Sequence, residues 1–213
     1  MKKFYYLGFI GPSIFILATL VFGFLYPGYS HVRQLISELG AEGAPHATAM
    51  NYLGIIPFGL CVALFALGGL NQFLRTSISV PAFFLLFLAG LLFLLAGLYN
   101  CDPLCSFESP STNAILHNVS AMGAYLLVAL SQMLLGLHYF THEGHATYWR
   151  RSLLMALLSV FLMFVLARIG WDSPFRGLVQ RLFVFNICGW LILTAVEWRD
   201  SRRPTLPPVS HSE

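Results

Sequence analysis

This chain predicts an all-α fold, a six-transmembrane-helix bundle with a short amphipathic extracytoplasmic helix between spans one and two. Three observations lead there. The 213 residues are 57% hydrophobic and only 10% charged, whereas charged side chains make up about 25% of an ordinary soluble domain. Mean hydropathy is +0.73. The apolar residues gather into six runs, each long enough to cross a hydrocarbon layer roughly 30 Å thick at about 1.5 Å of rise per residue. Strands standing alone would leave backbone groups unpaired in lipid, so the runs must be helices.

In order, the spans are expected at Phe4 to Tyr26, Met50 to Leu70, Val80 to Tyr99, Ala114 to Leu137, Leu153 to Ile169 and Leu182 to Trp198. The opening MKK followed by an apolar run has the look of a secretion signal. The run is too long, however, and no small-x-small cleavage site follows it near Tyr26, so it reads as the first span. Glycines in spans one to three (Gly8, Gly11, Gly54, Gly59, Gly68, Gly69, Gly90 and Gly97) suit close helix contact in lipid. Pro12, Pro57 and Pro81 mark places where a helix bends or opens. Residues 1–198 form the membrane domain, and residues 199–213, with the Pro-rich end PTLPPVSHSE, are expected to be a disordered cytoplasmic tail.

Orientation follows from where Lys and Arg fall, because cytoplasmic loops carry the positive excess. Lys2, Lys3, Arg75, Arg150, Arg151, Arg199, Arg202 and Arg203 fall on one side, and Arg33, Arg168, Arg176 and Arg181 on the other. Glu38, Glu42, Asp102, Glu108 and Asp172 accompany the second set. Both termini are therefore expected in the cytoplasm of a cell-membrane protein. This sorting and the basic RDSRR segment account for the net charge of +3 and give no reason to expect nucleic acid as a partner.

The polar residues gather in the long extracytoplasmic loops after spans one and three, 27–49 and 100–113. In YSHVRQLISELG, Val32, Leu35, Ile36 and Leu39 recur at helical spacing, with Ser30, His31, Gln34, Ser37 and Glu38 opposite. Ser30 suits an N-cap and Gly40 a left-handed C-terminal stop. Such a helix either turns its polar face to water or roofs a polar pocket. Asn51, His117, Asn118, Arg168 and Asn186, near the same ends of their spans, favour a pocket. Arg168 is expected to pair with Glu38, Asp102 or Asp172, because an ionisable side chain in a span needs a partner.

The second loop, NCDPLCSFESPSTN, holds the two extracytoplasmic thiols, Cys101 and Cys105. A disulfide is expected there, closing a small ring whose entropic contribution is about 2 kcal/mol. A zinc site on Cys101, Cys105 and His117 lacks a fourth ligand and defensible spacing, and C-D-P-L-C is one residue longer than a redox C-x-x-C. Cys61 and Cys188, inside spans, read as packing residues. The trio His138, His142 and His145 reads as a solvated loop, and His117 and His138 lie at opposite ends of one helix, which does not suit a haem. No Walker loop, G-x-S-x-G, H-E-x-x-H or nucleotide fingerprint occurs, and no cofactor or metal is expected.

The pattern S-H-V-R-Q-L-I-S-E-L-G-A-E-G-A-P, then Asn51, C-D-P-L-C and the L-H of Leu116 and His117, resembles the bacterial and archaeal membrane proteins grouped as domain of unknown function 998. The resemblance spans nearly all six helices, with its specific residues in the first four. It implies a six-helix bundle and a grouping of Ser30, Ser37, Glu38, Gly40, Asp102 and His117. It implies no activity.

The function expected is binding of a lipid headgroup or small amphiphile at the extracytoplasmic face. Its ligand residues would be Ser30, His31, Gln34, Ser37, Glu38, Asn51, His117, Arg168 and Arg181, the two arginines meeting an anionic group. The alternative is an intramembrane hydrolase or transferase with His117 as general base, Glu38 or Asp102 orienting it or acting as acid, and Ser30 or Ser37 as nucleophile. A third reading makes the polar face of residues 29–40 a dock for a protein partner, whose identity the sequence leaves unknown. The charge sorting itself is testable. Alkaline phosphatase inserted after Glu42 should be active and a fluorescent protein fused after Glu213 should glow in the cytoplasm; the reverse result would invert the orientation.

Overall fold

The computed structural model describes residues 3–72, 78–106, 109–141, 146–170 and 172–200. Six helices are long and apolar enough to cross a membrane: Phe4–Leu25, Ala47–Asn71, Ser79–Leu98, Thr112–Phe140, Thr147–Arg168 and Arg176–Asp200. They are spans one to six below. Several run past their expected limits: Ser111 Oγ caps span four by accepting from Ala114 N at 3.1 Å, which lets it start at Thr112, and Arg176 and Arg181 continue span six because residues 29–38 supply their partners. Arg199 and Asp200, expected in the tail, are the last turn of span six; residues 201–213 lie outside the described residues, as do His142 and His145.

Successive spans pack as neighbours, and span one lies against both span two and span six. Spans two and six are the most enclosed, each 61% buried over its most apolar window, and span five the least at 22%. Span five therefore stands at the lipid-facing edge. A row of aromatic rings crosses the bundle from span one to span six. Phe15 meets Phe58 at 4.9 Å between centroids, Phe58 meets Phe93 at 5.1 Å, Phe93 meets Tyr125 at 5.9 Å, and Tyr125 meets Phe183 at 4.6 Å. The last three meet edge to face, and such pairs add about 0.5–1.5 kcal/mol each beyond area burial.

Further along, spans four, five and six are joined by hydrogen bonds. Ser152 Oγ donates to the Gln132 carbonyl at 2.8 Å and accepts from Trp190 Nε1 at 2.8 Å. Asn186 Nδ2 donates to Ser159 Oγ at 2.8 Å and to the Met155 carbonyl at 2.9 Å, so this asparagine ties spans five and six together instead of joining the polar end of the bundle. In lipid the apolar surfaces gain little from meeting, and bonds of about 0.6 kcal/mol each help to hold helices together.

The segment 29–40 departs from expectation. No continuous helix forms: residues 31–33 are turns, and a short 3-10 helix covers Ile36–Gly40. The reason is tertiary. The backbone here spends its polar groups on span six, with Leu178 N donating to the Val32 carbonyl at 2.9 Å and Ile36 N donating to Gln180 Oε1 at 2.6 Å. Ser30 Oγ accepts from Arg33 N at 3.4 Å within a turn, so it caps no helix. Gly40 is not left-handed; a side chain there would collide with Asn51.

Span two begins with one α-turn, Ala47–Met50, and then widens into a π-helical stretch, Asn51–Ile55. The widening has an identifiable cause. Pro57 lacks an N–H and its ring would press on the carbonyl four residues back, that of Leu53, so a wider turn relieves the clash. Lower down, spans two and three touch backbone to backbone. A Cβ on Gly59 would lie 2.6 Å from Leu94 N, and one on Gly90 would fall on the backbone of Ala63. Gly90→Ala should therefore force these spans apart, at about 1–3 kcal/mol, and lower the thermal midpoint of the purified protein. Gly123→Ala, where the nearest atom is the end of a Leu92 side chain at 3.0 Å, should have a much smaller effect.

Candidate functional site

The site starts from one problem: Glu38 is 2% exposed. A buried carboxylate is tolerated only when its oxygens are paired. Oε1 accepts from Leu35 N at 2.8 Å and from Arg176 Nη2 at 2.8 Å, and Oε2 accepts from Gln34 Nε2 at 3.2 Å. Arg176, the first residue of span six, also donates through Nε to the Arg33 carbonyl at 3.3 Å. The 3-10 helix is thus clamped on the start of span six. It forms a roof over the bundle.

A second buried cation extends the clamp. Arg181, 6% exposed, donates to His31 Nδ1 at 3.2 Å, to the carbonyls of Gln34 at 2.7 Å and Gly177 at 3.0 Å, and to Tyr29 Oη at 2.5 Å. Burial pushes the Tyr29 phenol up to about 12 despite the neighbouring guanidinium, so it stays protonated and donates to the Leu35 carbonyl at 2.7 Å. Burial and then the Arg181 charge lower the pKa of His31. Neutral His31 can offer Nδ1 as an acceptor. Arg181 is spent on internal bonds and is not placed to meet an anionic ligand.

The roof is tied down on its other side too. Asn51 Nδ2 donates to the Gly40 carbonyl at 3.0 Å and to Asn100 Oδ1 at 3.1 Å. Cys101 and Cys105 form a disulfide with Cα atoms 5.0 Å apart, packed with Leu35, Ala41 and Leu166. Cys101 Sγ lies 3.6 Å from the Ser37 carbonyl oxygen. A disulfide sulfur carries no proton, so this is van der Waals contact. Asp102 accepts from Ser111 N at 2.8 Å at the start of span four, and bonds from the Ser111 hydroxyl and amide hold its carboxyl below the usual carboxylate range.

Below the roof, between spans four, five and six, lies a cavity of about 420 Å³. Met122, Leu166 and Ile169 give it apolar walls, and Ser37, His117, Gln180 and Arg176 border it with polar groups. A narrower extension continues past Ser37, His117 and Tyr125 to the aromatic row at Phe58 and Phe93. His117 Nδ1 lies 2.7 Å from the Ala96 carbonyl and 2.9 Å from that of Tyr99. Carbonyls only accept, so Nδ1 carries the proton. Nε2 is then the acceptor nitrogen, and among the described residues it has no partner. Ser37 borders the same space, and its hydroxyl has none either among the described residues.

These bonds correct three expectations. Arg176, not Arg168, pairs with Glu38; Arg168 is exposed, its guanidinium 5.3 Å over the Phe164 ring. Neither Glu38 nor Asp102 orients His117, since the end of span three does. Ser30, His31, Gln34 and Asn51 are held in bonds that build the roof, leaving Ser37 and His117 as the expected site residues that border the cavity.

Residues 9–197 match the family described as protein of unknown function (DUF998). The chain belongs to that family. No curated protein and no solved structure matches it. In this DUF998 protein the residues that sequence reasoning passed over are Arg176, Gln180, Tyr29 and Tyr125. A signal for two of them existed: Arg176 and Gln180 stand four apart at the start of a span, and so on one helix face. Removing one partner of a buried ion pair costs about 3–5 kcal/mol. Arg176→Met should lower resistance to SDS unfolding by that amount, and the double variant Glu38→Gln with Arg176→Met, which keeps an acceptor for Leu35 N, should recover part of the loss.

Proposed function

We propose that this protein binds an uncharged amphiphile, with the hydrocarbon part between spans four and five and the polar head against Ser37, His117 and Gln180. The observation that supports this is the distribution of chemistry around the cavity: apolar on the side of Met122, Leu166 and Ile169, polar beneath the roof. Its volume of about 420 Å³ falls within the roughly 300–1,000 Å³ usual for small-molecule sites. Exposed Met122 and Ala167 flank it on spans four and five, beside the least enclosed span. An amphiphile would enter sideways from the membrane.

Bilayer tails are as apolar as leucine, so the apolar walls gain little over the membrane itself. Selection then rests with the polar end. Arg176 is neutralised there by Glu38 at 2.8 Å, and Arg181 does not border the cavity, which favours a head carrying hydroxyl or ester groups over an anionic one. In this reading the protein is a multi-pass cell-membrane protein, both termini are cytoplasmic and the roof faces outward.

Native mass spectrometry of the purified full chain tests the reading. Wild type should carry an amphiphile adduct, and Ala121→Trp and Met122→Trp, each placing an indole in the cavity, should reduce it about tenfold while the protein stays monodisperse. Equal adducts in all three would overturn it. Enrichment of anionic phospholipid over neutral glycerides would overturn the choice of head group.

A further inference from the structure

We propose that Ser37 and His117 form a nucleophile and base that carry out acyl transfer on an ester-linked lipid held in this cavity. The proposal rests on the binding reading and adds a reaction to it. Three observations carry it. Ser37 and His117 both border the cavity and its inner extension. In a region where Gln34, Glu38, Asn51, Asn100, Gln180 and Arg181 are all paired, Ser37 Oγ and His117 Nε2 have no partner among the described residues. Finally, His117 is locked in the tautomer that general base work requires, by bonds of 2.7 and 2.9 Å from Nδ1.

The lock replaces the carboxylate of a Ser-His-Asp arrangement. Ala96 and Tyr99 lie at the C-terminal end of the helix Ser79–Leu98, where the last carbonyls lack partners and the helix dipole is negative. Two such carbonyls can orient the ring and stabilise the imidazolium that forms during reaction. No hydrogen bond joins Ser37 to His117 without substrate. Such contacts are often long in the free enzyme and tighten on binding.

The chemistry balances without a cofactor. Ser37 Oγ attacks the ester carbonyl carbon as its proton passes to His117 Nε2, and the carbonyl oxygen takes the negative charge of the tetrahedral adduct. The tetrahedral adduct collapses, the C–O bond to the alcohol breaks, and the leaving oxygen takes the proton from Nε2. The acyl group now rests on Ser37. Water or a second lipid hydroxyl attacks it, gives its proton to Nε2, and Ser37 recovers that proton as the acyl product departs.

The test is a fluorophosphonate probe added to the full chain in lipid nanodiscs, with the modified residue located by peptide mass spectrometry. Modification should fall on Ser37 and vanish in Ser37→Ala. His117→Asn keeps an N–H for the two carbonyls but supplies no base, and should slow labelling about 10²- to 10⁴-fold with the thermal midpoint retained. Absence of labelling in folded wild type, labelling elsewhere than Ser37, or an unchanged rate in His117→Asn would each overturn the proposal. The amphiphile adduct separates the two readings: retained in Ser37→Ala without any labelling of wild type, it leaves binding standing and removes the reaction.

Discussion

Glu38 is the residue around which the roofed end is organised. A carboxylate 2% exposed has to find donors, and the nearest come from three places: its own backbone at Leu35, the side chain of Gln34, and Arg176 across the bundle. Satisfying it goes with the 3-10 helix Ile36–Gly40 and sets that helix on span six. Everything else at this end follows, including the seating of Gln180 under Ile36 and of Arg181 under Gln34. Burial of a charge here acts as a register pin; a buried pair is poor evidence for stability by itself.

Most of the polar groups near the roof are spent in this way, which makes the remainder conspicuous. Arg181 has four hydrogen-bonded contacts and Asn51 two. Ser37 and His117 face a space of about 420 Å³ instead. The aromatic residues Phe15, Phe58, Phe93 and Tyr125 line its inner extension, and the tethered roof covers its other end. Its most exposed side is span five.

The sequence made the spans legible because lipid imposes a length and an apolar composition that few other environments demand. The Cys101–Cys105 pair was legible for a similar reason, since two thiols four positions apart in one loop have few other uses. The helix at residues 29–40 was not. Of the four residues on its apolar side Leu35, Ile36 and Leu39 are buried, but Val32 is 42% exposed and Glu38, from the opposite side, is buried; spacing says nothing about donors arriving from span six, and these drew the backbone out of an α-helix. The choice between Arg168 and Arg176 was equally hidden. Both flank the same turn, and which one reaches Glu38 depends on how span six is placed. His117 was picked out as a candidate, yet its orienting partners are backbone carbonyls, which no side-chain pattern reveals.

The pairing of Glu38 with Arg176 joins residues 138 positions apart in the chain. At ribosomal speeds of roughly 5–20 residues per second, the acidic group emerges roughly 7–28 s before its cation has even been made. During that interval the first loop has only its ties to Asn51 and to the second loop, and the arrival of the last helix adds the bonds from Arg176, Gln180 and Arg181. A chain that stops before residue 176 therefore lacks the bonds that hold the roof to span six, whatever the state of its earlier hairpins.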